Sequence, residues 1–188
     1  IGDWRRIFGF VGVAAPYWRC RGDFTVAACR GVVYYSQPPG FGLALCRRLR
    51  LSDGEELPCL PVPPQYRDYP HRGEFDFVVA PDLNRLFMLR FLQPDVEPAD
   101  PGSIDVYDLD TLALSFTFGE FPPDVTSLAY GSSRPSLFVA SKYGRIRVYD
   151  PMDGTRLRAF GKPGHEPGSF RTLNGIAVSK DRLFTVED

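Results

Sequence analysis

The side chains suited to metal or nucleophilic chemistry are few in this chain and poorly spaced for it. There are two histidines, His71 and His165, and four cysteines, Cys20, Cys29, Cys46 and Cys59, with no Cys-x-x-Cys pair among them. A tetrahedral zinc centre needs Cys and His at short, paired spacings, so no metal is expected. Phosphate-cradling and dinucleotide-binding glycine motifs are also missing, and Gly9-Phe10-Val11-Gly12 is too sparse to count as one. The chain is therefore expected to be non-catalytic and to carry no cofactor, with no small-molecule substrate in evidence. The thiols are expected to be reduced, mostly buried cysteines of a cytoplasmic protein, with a Cys20–Cys29 disulfide as the alternative.

Recognition chemistry is better represented. Tyr69, His71 and Arg72 form one group, Lys142, Tyr143 and Arg145 a second, and Lys162, His165 and Arg171 a third. Tyr and Arg supply most anchors at protein interfaces, because each pairs a broad apolar body with hydrogen-bonding groups. These groups become one site only if the fold gathers the segments that carry them.

Those segments lie between short strands that repeat. Ser103-Ile104-Asp105-Val106-Tyr107-Asp108 recurs as Arg145-Ile146-Arg147-Val148-Tyr149-Asp150, and each copy leads to a Phe-Gly pair, Phe118-Gly119 and Phe160-Gly161. Tyr107 and Tyr149, like Phe118 and Phe160, stand 42 positions apart, and a four-stranded propeller blade takes roughly 40–50 residues. Alternation within Arg145–Tyr149 places Ile146 and Val148 on one face and the two Arg and Tyr149 on the other, which is strand periodicity. With 18 Gly, 18 Pro, 15 Phe and 9 Tyr, the composition favours short strands and tight turns. Two stacked sheets would not explain a repeated strand-turn-strand unit ending in Phe-Gly. The expected fold is an all-β propeller of four-stranded antiparallel blades, an incomplete part of a larger ring. Residues 4–9 form an outer strand of a preceding blade, 22–62 a degenerate blade, 75–118 and 125–160 two clear blades, and 175–188 the first half of another. Phe118, Phe160 and Phe170 are expected in the core between blades.

The run Phe160-Gly161-Lys162-Pro163-Gly164-His165-Glu166-Pro167-Gly168-Ser169-Phe170, followed by Gly175-Ile176-Ala177-Val178, resembles the NHL repeat. Arg182–Asp188 is similar to that repeat's second strand, and 103–118 and 145–160 to the third and outer strands of NHL and YVTN-type propellers. The Trp-Asp blade ending of WD40 repeats and the Gly-Gly doublet of kelch repeats are absent. The resemblance implies a module that docks partners or substrates, as in ubiquitin ligases whose catalytic parts are separate. This chain shows no RING-type Cys/His spacing of its own. It also implies an alternative, because some NHL proteins bind single-stranded RNA on a basic propeller face. A propeller enzyme with a metal at its channel would need more His ligands than this chain has.

Near-neutral net charge conceals blocks. Residues 1–50 sum to about +6, 51–90 to −3, 91–133 to −8 and 134–188 to +4. In a propeller such blocks become angular sectors, which favour docking through complementary patches. Arg134, Lys142, Arg145, Arg147, Arg156, Arg158 and Lys162 against Asp150 and Asp153 give the RNA alternative its local excess of +5. No apolar run approaches the roughly 20 residues that span a bilayer, and no signal-peptide pattern opens the chain, so no membrane partner is expected. Ile1 at the start and a strand pattern at the end read as a piece of a longer polypeptide. Connections from outer to inner strands, and from second to third strands, open on one face of a propeller. That face would gather the three recognition groups and dock a protein partner or larger complex.

Overall fold

The computed structural model describes residues 17–20, 24–35, 44–61, 73–92, 102–122 and 124–187. These residues form strands and turns, and no helix among them is long and apolar enough to cross a membrane. The expected outer strand at 4–9 lies outside the described residues.

The strands make four antiparallel meanders in chain order. The first contains β1 (Tyr17–Cys20), β2 (Phe24–Cys29), β3 (Val32–Tyr35), β4 (Ala44–Arg50) and β5 (Glu56–Pro61). The second contains β6 (Gly73–Ala80), β7 (Arg85–Leu92), β8 (Gly102–Asp108) and β9 (Leu114–Phe121). The third contains β10 (Val125–Gly131), β11 (Ser136–Ser141), β12 (Ile146–Tyr149) and β13 (Arg156–Phe160). The fourth is the pair β14 (Leu173–Ser179) and β15 (Arg182–Glu187). β1, which pairs with β2 from Tyr17↔Ala27 to Cys20↔Phe24, was not foreseen from the sequence.

The sheets stack side by side, with β2 beside β6, β6 beside β10 and β10 beside β14. Each gap is filled by apolar side chains. Ala27, Tyr34, Cys46 and Leu60 meet Phe77, Val79, Leu86, Met88 and Tyr107 in the first gap. Val78, Phe87, Leu89 and Val106 meet Leu128, Tyr130, Leu137 and Tyr149 in the second. Ala129, Ala140 and Ile146 meet Leu173 and Ile176 in the third. Burial on both faces explains the near-continuous apolar runs of the inner strands. These are radially stacked blades of a partial propeller.

Register reveals equivalences that spacing alone does not. Ala27↔Tyr34, Val78↔Phe87, Ala129↔Phe138 and Ala177↔Phe184 are the same pair in four sheets, so an aromatic recurs at one second-strand position. Cys46↔Leu60, Ile104↔Phe118 and Ile146↔Phe160 are likewise one pair in three sheets. Leu60 shares the first core with Tyr107, and the Phe118 ring lies 5.6 Å from that of Tyr149. Phe170 is partly buried against the third core. Phe160 departs from expectation: it is 37% exposed. The position that Tyr107 and Tyr149 occupy in the sheets following Leu60 and Phe118 has no counterpart in the two-stranded fourth sheet.

The outer hairpins share a locking device. Asp53, Asp108 and Asp153 accept hydrogen bonds from nearby backbone amides, Glu55 at 2.9 Å, Thr111 at 2.8 Å and Thr155 at 2.8 Å. Those amides hold the three carboxyls below the usual Asp range. Other polar groups bridge between sheets. At the inner strands, Asp76 accepts from the Leu128 amide at 2.8 Å and Ser127 Oγ from the Ile176 amide at 3.3 Å. At the hairpins, Arg30 donates to Asn84 Oδ1 at 2.7 Å, and Arg85 to the carbonyl of Met152 at 2.9 Å.

Candidate functional site

Two of the predicted recognition groups are brought together by backbone contacts. The turn between β11 and β12 is closed by the Gly144 amide donating to Ser141 O (3.0 Å) and the Ser141 amide to Arg145 O (2.8 Å). The crossing from β13 to β14 folds on itself: the Phe170 amide donates to Lys162 O at 2.9 Å and the Gly164 amide to Phe170 O at 3.1 Å. The Lys142 peptide then joins these segments to the inner strands. Its amide donates to Asp124 O at 2.6 Å, and its carbonyl accepts from the Leu173 amide at 3.0 Å. Ser141 Oγ donates to the Asp124 carboxylate.

Glycine is required where the two segments touch. A Cβ on Gly144, whose φ is +80°, would sit 2.9 Å from Phe170 O and 3.0 Å from Lys162 O. A Cβ on Gly161, with φ +81°, would collide with Gly144 O. Only glycine tolerates both the dihedral and the approach.

On this fixed backbone the side chains of Lys142, Tyr143, Arg145, Lys162, His165 and Arg171 are all exposed, Tyr143 by 62%. Lys162 meets Glu166 at 3.5 Å, an open surface pair that contributes little to stability. Lys142, Arg145 and Arg171 make no ion pair with another described residue. The Arg171 backbone amide donates to Glu187 Oε2 at 3.1 Å, which ties the end of the crossing to β15. Tyr69 and Arg72, with His71, lie outside the described residues. Chemically, the assembled surface offers the exposed cations of Lys142, Arg145 and Arg171 and the exposed phenol of Tyr143. Among the described residues, no group of three or more His, Cys, Asp and Glu could hold a metal.

A buried polar cluster between the first two sheets escaped the sequence reading. Arg90 and Asp105, 8% and 2% exposed, form an ion pair at 2.6 Å across β7 and β8. Asp105 also accepts from Tyr107 Oη at 3.0 Å and Thr117 Oγ1 at 2.7 Å, while Arg90 donates to Ser103 Oγ at 3.1 Å. The signal was available: the repeat aligns Asp105 with Arg147, an opposite charge at one strand position. Nearby, Tyr34 is pushed up to about 12, by burial first and then by the Cys29 beside it. Burial likewise pushes the Cys46 thiol up to about 12. Cys29, Cys46 and Cys59 are free thiols, with Cys59 exposed.

No family model matches the chain, and no curated protein matches it. Solved structures do. Residues amounting to 87% of the chain superpose on 47% of the RRP9 WD40 repeats, with TM-score 0.57 and 12% identity. The same share superposes on 48% of U3-55K, with TM-score 0.58 and 13% identity. A chain of the mitotic checkpoint complex matches over 86% of this chain and 41% of its own length, with TM-score 0.50 and 15% identity. The chain thus spans about half the length of the solved chains it matches, and at these identities the likeness concerns the fold alone. The chain has the fold of part of a β-propeller.

Proposed function

We propose that this chain is a non-catalytic scaffold that docks a protein partner through the surface of the Ser141–Arg145 turn and the Gly161–Arg171 crossing. The observation that carries this reading is the backbone docking of the two segments, which holds Lys142, Tyr143 and Arg171 exposed on a preorganised support. Preorganisation lowers the ordering cost of association. Tyr with exposed Arg and Lys suits an interface anchor, and acidic partner surfaces complement it. The fold adds support, since one matched structure is by name a complex. The NHL-like affiliation rests on the motifs of residues 103–188, and a cytoplasmic setting on the free thiols.

The test is capture of partners on the immobilised chain, comparing wild type with the Lys142→Glu, Tyr143→Ala, Arg171→Glu triple variant. A partner anchored here is expected to lose more than about tenfold in affinity, since hot-spot truncations cost about 2 kcal/mol or more. A partner retained at wild-type strength by the triple variant refutes the site. Tight binding of a single-stranded oligouridine, falling steeply with added salt, would replace the reading with RNA recognition.

A further inference from the structure

Leu86↔Tyr107 and Leu137↔Tyr149 are one pair in the second and third sheets, and each tyrosine packs into the gap before its own sheet. What accompanies the two hydroxyls differs. Tyr107 Oη donates to Asp105 at 3.0 Å, and Asp105 also takes the Arg90 ion pair and the Thr117 hydroxyl. One sheet later Met88↔Asp105 becomes Val139↔Arg147, and Asp105↔Thr117 becomes Arg147↔Ala159. The acceptor two residues before the tyrosine is replaced by a cation, and the outer-strand hydroxyl by a methyl.

The outcome is a cluster of donors without an acceptor. Strand alternation puts Arg147 on the same face as Tyr149. Arg147 Nη1 is buried and makes no hydrogen bond, and no described carboxylate comes within ion-pair distance of this guanidinium. Arg156 pairs with Tyr149 across β12 and β13. Burial pushes the Tyr149 phenol above its usual value and Arg147 and Arg156 pull it partly back, so both guanidiniums act on the same oxygen. Asp150, the nearest acid in sequence, is engaged in the hairpin, where it accepts from the Met152 amide at 2.7 Å. A guanidinium cannot shed its proton, and a buried N–H without an acceptor carries a desolvation cost that an anion would recover.

We propose that Arg147, Tyr149 and Arg156 form an oxyanion site between the second and third sheets, which takes a phosphate dianion in the role that the Asp105 carboxylate plays one gap earlier. Two guanidiniums and a phenol offer two fixed positive charges and several donors, a better match to a doubly charged tetrahedral anion than to one carboxylate. The site is built on β12 and β13 and is independent of the loop surface proposed above. A free phosphate ion and a phosphate carried on a partner's serine share this chemistry.

The probe is inorganic phosphate, titrated into the whole chain by isothermal titration calorimetry at about pH 8, where it is a dianion, with ionic strength held constant by chloride. Saturable binding is expected, weakened about tenfold or more by Arg147→Leu and by Tyr149→Phe, the scale of a lost hydrogen bond to a charged group. Arg147→Asp restores the second-sheet pattern beside the tyrosine and should abolish binding. Arg158→Leu removes an equal charge from β13 at the position paired with Val148, on the other face, and should leave binding unchanged. Because Arg147→Leu removes a buried cation, its urea midpoint should not fall, which separates lost binding from lost fold. A short phosphoserine peptide that binds about tenfold more tightly than inorganic phosphate would assign the anion to a partner, and equal or weaker binding to the free ion. The site is overturned by absence of saturable phosphate binding, by equal binding to the Arg147→Leu chain, or by a heat signal that chloride reproduces. Oligouridine binding that Arg147→Leu removes along with phosphate binding would assign these donors to a nucleic-acid backbone and overturn it equally.

Discussion

Phe87→Ala and Phe184→Ala remove the same side chain from the same register position of two sheets, and the structure assigns them different costs. Phe87 is fully buried, opposite Val78, with its ring stacked 6.3 Å from that of Tyr130 in the next sheet. Truncating such a residue removes its transfer free energy and leaves a cavity, together about 3–5 kcal/mol. Phe184 faces the side of the fourth sheet that has no further sheet against it among the described residues, and it is 53% exposed. Full burial of a phenylalanine is worth about 1.5–3 kcal/mol, so roughly half of that, about 1 kcal/mol, is at stake. Urea unfolding followed by far-ultraviolet circular dichroism separates the two. With a slope near 2 kcal/mol per molar, the midpoint should fall by about 2 M for Phe87→Ala and about 0.5 M for Phe184→Ala. Equal shifts, or a larger one for Phe184→Ala, would refute the radial stacking from which both values follow.

Asp76→Ala strands the buried Leu128 amide, and urea midpoints should show a loss of about 1–3 kcal/mol. Asp105→Ala leaves Arg90 buried without its carboxylate and should cost about 3–5 kcal/mol, whereas Asp105→Leu with Arg90→Met should recover most of that. Tyr34 holds its phenolic proton more tightly folded than unfolded. Its contribution is therefore complete below about pH 10 and lost as pH rises through about 12, and Tyr34→Phe should flatten the fall in urea midpoint over that window. In a Cys20→Ser background at neutral pH, maleimide should label exposed Cys59 rapidly and buried Cys46 only after unfolding, which mass spectrometry of the labelled peptides reads directly.

What the sequence disclosed was whatever is local or periodic. Two third strands 42 positions apart do occupy matching registers, Ile104↔Phe118 and Ile146↔Phe160, because strand alternation and the Phe-Gly ending are written into consecutive residues. Contacts between sheets were hidden, since Asp76 reaches an amide 52 positions away and nothing in its own strand marks it. Phe160 illustrates the same limit: its composition says core, but its burial depends on a neighbour. For the candidate site, loop membership followed from the expected meander. The docking of the 142–145 turn on the 161–172 crossing did not, because it runs through Gly144 and Gly161, whose backbone geometry no side-chain pattern announces, while the Lys142 peptide ties the turn to Asp124 and Leu173.

Asp76 and Ser127 sit at the narrow ends of their sheets, one position before Phe77 and Leu128, and each latches to the sheet that follows. A wheel fastened at its axle tolerates irregular spokes. The angular step from one spoke to the next is set at the hub, so peripheral strands can lengthen, bulge or carry long connections without altering the pitch of the disc.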